Sequence, residues 1–433
     1  MDMQKLSEHL ALTRTVKQLG VKDANAIRYA YGLVVETERR RNLIDALVNN
    51  VVAPKKISDY NLGVQSFLRL YVYQTRASKN WGKINLQEAQ HIASLGRAIL
   101  GWQTLREVEQ YLGFLLTRQL EPILNAASDE ERVSLETCHP PWFVKYCFNL
   151  MGRNEAIAFL QGSMNPPPIY VRLNTLADTE EGILQKLDAE GVALEIAPPL
   201  KHVYKVKQTK QPMNTLQSYR EGLFYVQDKA SCFAAQAADP KEGSTVFDVC
   251  AAPGAKTTYL AQLMHNSGAV YSVDFSARRM QTWKKEIVRM GTKIAEPIIA
   301  DANIPLPLAK DADLVVLDPP CTGTGIFAKQ PSAKWRITQK SVQKMAEIQW
   351  NMINFCAEKV AAEGVLIYST CSITVEENEA IVERFLKENA EFSLAEIEPR
   401  IGLPGLRGLT QCQRLLLHIH HCNGFFIAKL RKK

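Results

Sequence analysis

Two cysteines directly follow predicted strands, in Leu317-Asp-Pro-Pro-Cys321 and Tyr368-Ser-Thr-Cys371. A lone buried cysteine is usually inert packing, and we interpret Cys147, Cys232 and Cys356 in that way. Two cysteines at neighbouring strand ends instead suggest a nucleophile with an assistant, because a thiolate attacks electron-poor carbon atoms well. The pair therefore predicts covalent chemistry on such a carbon.

A turn of small residues lies where a cofactor would bind. Asp248-Val-Cys-Ala-Ala-Pro-Gly-Ala-Lys-Thr257 ends one predicted strand and opens a helix. Ligands of open α/β sheets bind beyond the carboxyl ends of the strands. The run lacks the G-x-G-x-x-G fingerprint and, with Gly254 alone, the spacing of a phosphate-binding loop. A plain strand-to-helix turn is the alternative for this run taken by itself.

Acidic residues close three further predicted strands, at Asp274, Asp301 and Asp318. Carboxylates there can accept hydrogen bonds from ribose hydroxyls, an exocyclic amine or a ligand ammonium. An acid about 20 residues after the turn is the usual ribose-binding arrangement. A single strand-end aspartate is most often a turn or helix cap, but three of them beside one turn favour a cofactor site.

Hydrophobic periodicity predicts the elements that position these residues. Apolar runs predict strands at 245–250, 269–274, 296–301, 314–318 and 364–370, with helices at 256–265, 276–290, 338–362 and 375–389. This alternation predicts an α/β domain with a parallel sheet over residues 239–433. Apolar residues at three- and four-residue steps predict an all-α domain over residues 1–134. Short β-type runs around one helix predict a small α+β domain at 135–238.

Composition excludes several classes of protein. The 433-residue chain is 46% hydrophobic and 22% charged, which argues against intrinsic disorder. No run approaches the roughly 20 apolar residues that span a bilayer, and residues 1–20 are too charged for a secretory signal. None of the nine cysteines forms a Cys-x-x-Cys pair, so we expect no disulfide scaffold, no structural zinc, and a cytoplasmic protein with reduced thiols.

The net charge is concentrated in the first hundred residues. The chain holds 52 Lys+Arg and 45 Asp+Glu, so 52 − 45 = +7. Residues 1–100 hold 15 and 8 of these, a surplus of 7, and the rest hold 37 of each. The basic excess of the helical region favours a polyanion such as nucleic acid as partner, and a solvated basic face is the alternative.

Residues 135–433 resemble the Fmu/Sun (RsmB) family of S-adenosylmethionine-dependent RNA 5-methylcytosine methyltransferases. The turn at 248–257 and both cysteine motifs carry the resemblance, and further matches are Tyr170-Val-Arg-Leu-Asn-Thr175, Gln227-Asp228 and Gly424-Phe-Phe-Ile-Ala-Lys429. The paired Pro-Cys and Thr-Cys motifs are specific, because DNA cytosine-5 methyltransferases use a single Pro-Cys. The resemblance implies a Rossmann-like catalytic domain. The basic helical region is similar to the NusB-like RNA-binding domain attached to many members.

The resemblance implies roles for four catalytic residues. By family analogy, Cys371 attacks carbon-6 of cytosine, and Cys321 assists release of the methylated product. Asp318 would hydrogen-bond the cytosine edge and lie near the methionine part of the cofactor. Lys256 would bind the cofactor or support the thiolate electrostatically, with a solvated lysine at a helix start as the alternative.

The resemblance also implies S-adenosylmethionine as the cofactor and no metal. Asp274 would bind the ribose, and Asp301 the adenine region. The implied cofactor-binding residues are Cys250, Ala251, Ala252, Pro253, Gly254, Ala255, Lys256, Asp274, Arg279, Asp301 and Asp318.

Two positions depart from the family pattern. Members commonly have a second glycine where Ala255 stands, and any requirement for positive φ there would cost stability. Residues 416–421 lack the proline usually found before the first histidine of this run. On a predicted strand His421 would face away from His418 and His420, so we expect no metal site there.

A base within a duplex must be unstacked and flipped before its carbon-6 is accessible. Expected aids are the Lys-rich stretch 201–210, Arg172 and Asn174 at the rim of the site, and the basic N-terminal helices. A solvated edge strand is the alternative for 201–210. Trp142 and Trp335 could stack on bases, with a core or lid role as the alternative.

Together these observations predict a monomeric RNA cytosine carbon-5 methyltransferase. Ribosomal RNA is the expected substrate because of the domain pairing, and transfer RNA is the alternative. A rival from another class is a non-catalytic RNA-binding assembly factor with a vestigial pocket, which the intact catalytic residues argue against. A nicotinamide-dependent oxidoreductase is disfavoured by the missing glycine fingerprint.

Overall fold

The structure is a computed structural model that describes residues 6–79, 81 and 84–433. The chain divides into two compact units. The first comprises Met1–Asn165 and Phe327–Arg336, and the second comprises Pro166–Ile326 and Ile337–Lys433. The domain boundaries predicted at 134 and 238 stay predictions. Residues 1–5, part of the stretch considered for a secretory signal, lie outside the described residues.

The first unit is built from helices in its described residues. They are α1 (Glu8–Leu19), α2 (Ala24–Arg39), α3 (Arg41–Val52), α4 (Leu62–Thr75), α5 (Leu86–Leu100), α6 (Trp102–Glu109), α7 (Leu112–Thr117), α8 (Glu121–Ala126), α9 (Asp129–Thr137), α10 (Pro141–Met151) and α11 (Arg153–Gly162). Asp23 caps α2 by accepting hydrogen bonds from the Asn25 and Ala26 amides. Apolar faces that include Ile44 and Leu68 meet in its core. The NusB-like identity of these helices stays a prediction.

Residues 327–336 belong to the first unit and are fastened there by buried polar groups. The Lys334 side chain is fully buried and donates hydrogen bonds to the carbonyl oxygens of Arg39 (3.1 Å) and Cys138 (2.6 Å). The Trp335 indole donates to the carbonyl oxygen of Glu38 (2.7 Å). Trp335 therefore has a structural contact within the first unit, and base stacking by Trp142 and Trp335 stays a prediction.

The second unit begins with an antiparallel sheet in the order β2-β3-β1-β4. Its elements are β1 (Tyr170–Leu173), α12 (Glu180–Ala189), β2 (Val192–Ile196), β3 (Val203–Thr209), α13 (Gln217–Arg220) and β4 (Phe224–Val226). Because β3 pairs with both β2 and β1, the interpretation of residues 201–210 as an edge strand is wrong. Helix α14 (Lys229–Ala238) leads from this sheet to a larger one.

The larger sheet has the order β11-β12-β13-β9-β8-β5-β6-β7, and β10 pairs with β13. The strands are β5 (Thr245–Val249), β6 (Ala269–Asp274), β7 (Ala295–Ile299), β8 (Ala312–Leu317), β9 (Val360–Thr370), β10 (Phe392–Leu394), β11 (Leu403–Pro404), β12 (Gln413–Leu415) and β13 (Phe425–Lys432). The helices are α15 (Ala255–Leu263), α16 (Ala277–Arg289), α17 (Gln339–Ala357), α18 (Glu379–Glu388) and α19 (Leu417–His420).

Five neighbouring strands of this sheet, β9, β8, β5, β6 and β7, are parallel. The central strand β5 is apolar and buried at Val246, Phe247 and Val249, as expected for a strand covered on both faces. The predicted α/β fold with a parallel sheet is therefore confirmed, and β13 adds an antiparallel neighbour to β9. No helix in the described part of the chain is long and apolar enough to cross a membrane.

Candidate active site

The carboxyl ends of the parallel strands bring the predicted site residues together. Parallel strands end at the same edge of a sheet. Cys371 follows β9, Asp318 follows β8, Cys250 follows β5, and Asp274 is the last residue of β6. Because these four strands are consecutive neighbours, motifs far apart in the chain lie side by side.

The turn between β5 and α15 is tight and is supported from within the fold. Gly254 has a φ of 110°, and a Cβ atom there would lie 3.1 Å from the Trp283 ring, so the position requires glycine. Trp283 donates a hydrogen bond to the Thr257 hydroxyl (3.1 Å), which donates to the Asp248 carboxylate (2.6 Å). Ala255 starts α15 and is not at positive φ, so its departure from the family pattern carries no backbone penalty.

Asp274 organises the outer side of this turn. Its buried carboxylate accepts hydrogen bonds from the backbone amides of Ala252 (3.2 Å) and Ser276 (3.0 Å). It also pairs with Arg279, with Nη1 of the arginine 3.1 Å from Oδ2. Arg279 donates in addition to the carbonyl oxygen of Ala252. The predicted cofactor residues Ala252, Asp274 and Arg279 thus form one bonded group.

Lys256 and Asp318 form an ion pair between the first turn of α15 and the end of β8. Burial alone would lower the pKa of Lys256, but the charge of Asp318 and the hydrogen bond to it outweigh burial and raise that pKa. The lysine also interacts electrostatically with Cys371. The site therefore holds a positive charge close to one of its thiols.

The sulfur atoms of Cys321 and Cys371 lie 3.1 Å apart. The hydrogen bond with Cys371, together with burial, raises the pKa of Cys321 well above its usual value. Cys321 therefore remains a thiol that can donate to Cys371.

Two glycines bring the Cys321 loop, the Cys371 loop and the approach to β13 into close contact. The Gly325 amide donates to the carbonyl oxygen of Cys371 (2.9 Å), and the Gly424 amide donates to the carbonyl oxygen of Gly325 (2.8 Å). A Cβ atom on Gly325 would lie 2.2 Å from the carbonyl oxygen of Gly424. Any larger residue at position 325 would therefore force these segments apart.

A cavity of about 440 Å³ lies over the strand ends, which is within the size range of small-molecule sites. It is lined by both site cysteines, Cys321 and Cys371, and by six predicted cofactor residues: Cys250, Ala252, Asp274, Arg279, Asp301 and Asp318. The other predicted residues, Ala251, Pro253, Gly254, Ala255 and Lys256, form the turn and helix start beside the lining. The structure therefore brings the predicted catalytic and cofactor residues into one region.

Sequence reasoning missed several residues that line this cavity, among them Phe275, Asn303, Ile348 and Met352. Phe275 directly follows Asp274 and is 67% exposed, so an aromatic residue beside a ribose-type carboxylate was an available signal. Ile348 and Met352 are one turn apart on α17. Their apolar spacing indicates a buried face, but only the fold shows that this face reaches the cavity.

Arg172 and Asn174, which were expected at the rim of the site, are both fully buried. Arg172 donates hydrogen bonds to the side chains of Gln227 (3.1 Å) and Thr258 (2.8 Å). Asn174 donates to the carbonyl oxygen of Met290 (2.9 Å). Their predicted contact with RNA is therefore wrong, and the two residues fasten the four-stranded sheet to the helices of the larger sheet.

The three histidines near position 420 lie on a different element from the one predicted. His418 and His420 lie on α19, and His421 caps it with a φ of 54°. The strand expected at 416–421 is therefore wrong. Within the described residues, no group of three or more His, Cys, Asp or Glu side chains is placed to hold a metal ion.

Comparison with known proteins identifies the family to which this site belongs. Residues 235–431 match the family described as "16S rRNA methyltransferase RsmB/F", and residues 139–211 match the RsmF/B-like ferredoxin-like domain. The chain belongs to the RsmB/F methyltransferase family. The resemblance drawn from the two cysteine motifs is thereby confirmed.

Relatives of this RsmB/F chain include enzymes named for two kinds of RNA. "Probable ribosomal RNA small subunit methyltransferase B" of Bacillus subtilis is 28% identical over 100% of this chain and 96% of its own length. "tRNA (cytosine(72)-C(5))-methyltransferase" of Pyrococcus horikoshii is 35% identical over 56% of this chain and 59% of its own length. The crystal structure of NSun6 from Pyrococcus horikoshii with SFG has a TM-score of 0.63 at 26% identity, covering 68% of this chain and 98% of that one.

The RsmB/F chain is an S-adenosylmethionine-dependent RNA cytosine-C5 methyltransferase. SFG, present in the NSun6 crystal, is an analogue of that cofactor. The cavity residues fit the cofactor, because Asp274 offers a carboxylate for ribose hydroxyls, Asp301 offers one for the adenine region, and Phe275 offers an apolar ring for a base. Asp318 adds a carboxylate that suits the cationic part of the molecule.

Proposed function

We propose that this RsmB/F protein methylates carbon-5 of a cytosine in ribosomal RNA through a covalent bond between Cys371 and the base. One observation carries the proposal: two sulfurs lie 3.1 Å apart at the cofactor cavity, next to the Lys256–Asp318 ion pair. A purely binding protein has no use for two adjacent thiols with a cation held beside them. The alternative of a non-catalytic assembly factor therefore has less support.

The chemistry requires a nucleophile because carbon-5 of cytosine is too unreactive to take a methyl group directly. Addition of the Cys371 thiolate to carbon-6 forms a carbon–sulfur bond and places an electron pair on carbon-5. S-adenosylmethionine, when bound, supplies the methyl group. Loss of the carbon-5 proton and departure of the Cys371 thiolate then restore the ring double bond.

Electrostatics support Cys371 as the nucleophile and Cys321 as its assistant. The raised pKa of Cys321, caused by the hydrogen bond with Cys371 and by burial, keeps it a thiol. That thiol stabilises the Cys371 thiolate before attack and again when the thiolate leaves the methylated base. Lys256 adds a second favourable charge.

We assign Asp318 to the cytosine edge. Its side chain is 29% exposed, so it is open to the cavity while paired with Lys256. A carboxylate can accept a hydrogen bond from the exocyclic amine of cytosine. Lys256 orients this carboxylate through the ion pair. Asp274 and Arg279 serve the ribose side of the cofactor, and Asp301 serves the adenine region.

The extent of the two matches favours ribosomal RNA as the target. The match to the Bacillus enzyme named for small-subunit ribosomal RNA extends over the whole chain, including the helical first unit. The match to the transfer RNA enzyme extends over 56% of the chain. The relative that matches the whole chain is thus the one named for ribosomal RNA. Ribosomal RNA is therefore the first candidate substrate, and transfer RNA is the second.

We assign RNA docking to the helical first unit. The charge surplus of residues 1–100 supports this role, because phosphate contacts dominate the affinity of proteins for RNA. We further propose that these helices form a NusB-like domain and that the chain has the three predicted domains. We also propose that the protein is a cytoplasmic monomer.

Incubation with labelled S-adenosylmethionine and either a small-subunit ribosomal RNA transcript or transfer RNA tests the proposal. Wild-type protein should form 5-methylcytosine in the ribosomal transcript. Cys371→Ala should form none, and Cys321→Ala should accumulate a protein–RNA adduct that resists denaturing electrophoresis. Product only in transfer RNA would move the target to the second candidate. An active Cys371→Ala enzyme would overturn the mechanism.

A further inference from the structure

Glu377 is a fully buried carboxylate in the segment that connects β9 to α18. Its Oε1 atom accepts hydrogen bonds from the backbone amide of Thr322 (2.8 Å) and from the Gln349 side chain (3.0 Å). Its Oε2 atom accepts from the hydroxyls of Thr322 (2.5 Å), Ser372 (2.6 Å) and Thr374 (2.7 Å). Both oxygens are thus surrounded by donors, as a buried carboxylate requires.

The donors come from the two segments that carry the site cysteines. Thr322 is the residue after Cys321, and Ser372 is the residue after Cys371. Glu377 therefore joins the two segments through one side chain. Gln349, which bonds to Glu377, also donates to the carbonyl oxygen of Pro320 (2.9 Å) and so holds the first segment from its other side.

The two residues after Glu377 are also fully buried, but their contacts differ. Asn378 accepts a hydrogen bond from the Thr370 hydroxyl (2.5 Å) and donates to the carbonyl oxygen of Ser372 (2.9 Å). Glu379 pairs with Arg414, which donates to the carbonyl oxygen of Ile373 (2.9 Å). These contacts hold the Cys371 segment alone, whereas Glu377 also reaches the Cys321 segment.

A buried charge is a costly way to stabilise a fold, because well-packed apolar residues often do so at least as well. A carboxylate with five donors is instead well suited to fixing a separation, because each donor has one favourable distance and direction. The separation fixed in this way is that between the two sulfurs, which must be close enough to share a hydrogen bond and far enough apart to admit the base.

We propose that Glu377 is a positioning residue that sets the separation of the Cys321 and Cys371 sulfur atoms by bonding to Thr322 and Ser372. The proposal rests on the proposed function for its catalytic consequence but not for its geometry. Without the carboxylate the two segments lose this shared anchor and keep direct bonds such as those of Gly325 with Cys371 and of Thr324 with Ile373. The sulfur separation is then less sharply fixed, so the sulfurs meet less often and catalysis slows, while the cofactor residues on the β5 and β6 ends keep their contacts.

Oxidation by diamide measures the sulfur separation without RNA or cofactor. Two thiols form a disulfide by giving two electrons and two protons to the diazene, which becomes a hydrazine. The rate of Cys321–Cys371 disulfide formation, followed by mass spectrometry of digested full-length protein, reports how often the sulfurs meet. Glu377→Gln keeps the size of the side chain and removes its charge. We expect it to slow this reaction about tenfold and to reduce kcat by about 10–100-fold, because small misplacements cost rate steeply.

Three further variants separate positioning from general stability. Thr322→Val removes one hydroxyl donor to Glu377 and should show a smaller loss in both rates, whereas Thr322→Ser keeps the hydroxyl and should retain both. Gln413→Ala removes a fully buried side chain of the same unit that bonds to Ile401, Gly402 and Ile397. It should lower the melting temperature without slowing disulfide formation.

The binding constant for S-adenosylmethionine should stay within about twofold of wild type in Glu377→Gln, because the loss is in kcat. The proposal is overturned if folded Glu377→Gln forms the disulfide at the wild-type rate, or if Gln413→Ala slows it equally. It is also overturned if Thr322→Ser behaves like Thr322→Val. Failure of the proposed function would appear separately, as wild-type protein that methylates no RNA while the diamide rates still differ.

Discussion

Two buried lysines in this chain, one in each compact unit, have opposite electrostatic behaviour. Lys256, at the cofactor turn, pairs with Asp318, and the charge of that partner outweighs burial and raises its pKa. Lys334, in the first unit, donates to the carbonyl oxygens of Arg39 and Cys138, and burial lowers its pKa to about 7. Similar burial therefore yields a permanent cation in one region and a titrating amine in the other.

The difference lies in the partner that each region provides. A carboxylate carries a full charge that compensates for lost hydration, whereas a carbonyl oxygen carries only a partial charge and can also accept a hydrogen bond from a neutral amine. Arg39 and Cys138 lie at the carboxyl ends of α2 and α9, where helix carbonyl groups need outside donors. Lys334 thus stabilises the fold by donating hydrogen bonds, and Lys256 supplies a positive charge at the proposed active site.

Lys256→Met tests the proposed catalytic role of Lys256, and of the variants considered it should change its measured property most, namely the rate of methyl transfer. It keeps the length of the side chain and removes the charge beside Cys371 and Asp318. Methyl transfer should fall by about 10²–10³-fold, the cost typical of losing one preorganised electrostatic group. Single-turnover assays with labelled cofactor measure this, with Lys284→Met on the exposed face of α16 as the control. Retained activity would show that the cation is dispensable.

Lys334→Ala tests the structural half. The truncation leaves a cavity and two buried carbonyl groups without their donor, which should destabilise the first unit by about 3 kcal/mol. Hydrogen exchange should quicken in α2 and α9 and stay unchanged in β5 and β6. Lys329→Ala, at an exposed position of the same segment, is the matched control. Equal loss of protection in both units would contradict a role confined to the first.

The next largest effect should be the contribution of Lys334 to the pH dependence of the free energy of unfolding. Its folded pKa of about 7 lies below the unfolded value of about 10.4, so the unfolded chain binds more protons between these values and stability rises with pH there. Between pH 7 and 9 wild type should gain roughly 2 kcal/mol relative to Lys334→Met, by urea titration of both. Because the pKa of Lys256 is raised, it should add no slope in this range. A constant difference between the two proteins would show that Lys334 keeps its proton.

Asp318→Asn should make Lys256 behave like Lys334. Burial is then opposed only by the smaller contributions of Asp248 and Cys371, and we expect the pKa of Lys256 to fall below that of a free lysine. Trace acetylation at pH 8, read by mass spectrometry, should label Lys256 about tenfold faster than in wild type, because only the neutral amine reacts. Asp313→Asn, at an exposed position in β8, should leave the labelling rate unchanged. Unchanged labelling in Asp318→Asn would assign the raised pKa to another group.

Much of the catalytic fold is predictable from sequence because its strands are buried on both faces. The apolar runs that become β5, β6 and β8 end at polar residues, so their ends were placed within one or two positions. Residues 416–421 mix apolar residues with histidines, a pattern that does not distinguish a strand from the short helix α19. The interior position of β3 was missed because exposed lysines on one face of a strand do not reveal its neighbours.

Sequence could identify the site residues whose type and spacing indicate chemistry, but not those whose role depends on burial or on distant partners. The residue types alone indicate a reactive site, because two cysteines and several carboxylates follow predicted strands. The order of the strands in the sheet then brings them together. Arg172 and Asn174 were misplaced because type alone does not show whether a polar side chain faces solvent or a buried partner. Glu377 went unrecognised because an acidic residue before a helix usually faces water. Its role depends on donors that are 55 and 5 residues away in the chain.

The contact between Gly325 and Gly424 means that the site is completed by one of the last segments to be synthesised. Strand β13 and Gly424 follow every other element of the site along the chain, yet they bond to the segments that carry Cys321 and Cys371. A nascent chain on the ribosome therefore has both thiols and the whole cofactor turn before it has the strand that bonds to their segments. We therefore expect catalytic competence to arise only after residues 424–432 have left the ribosome and have bonded to these segments.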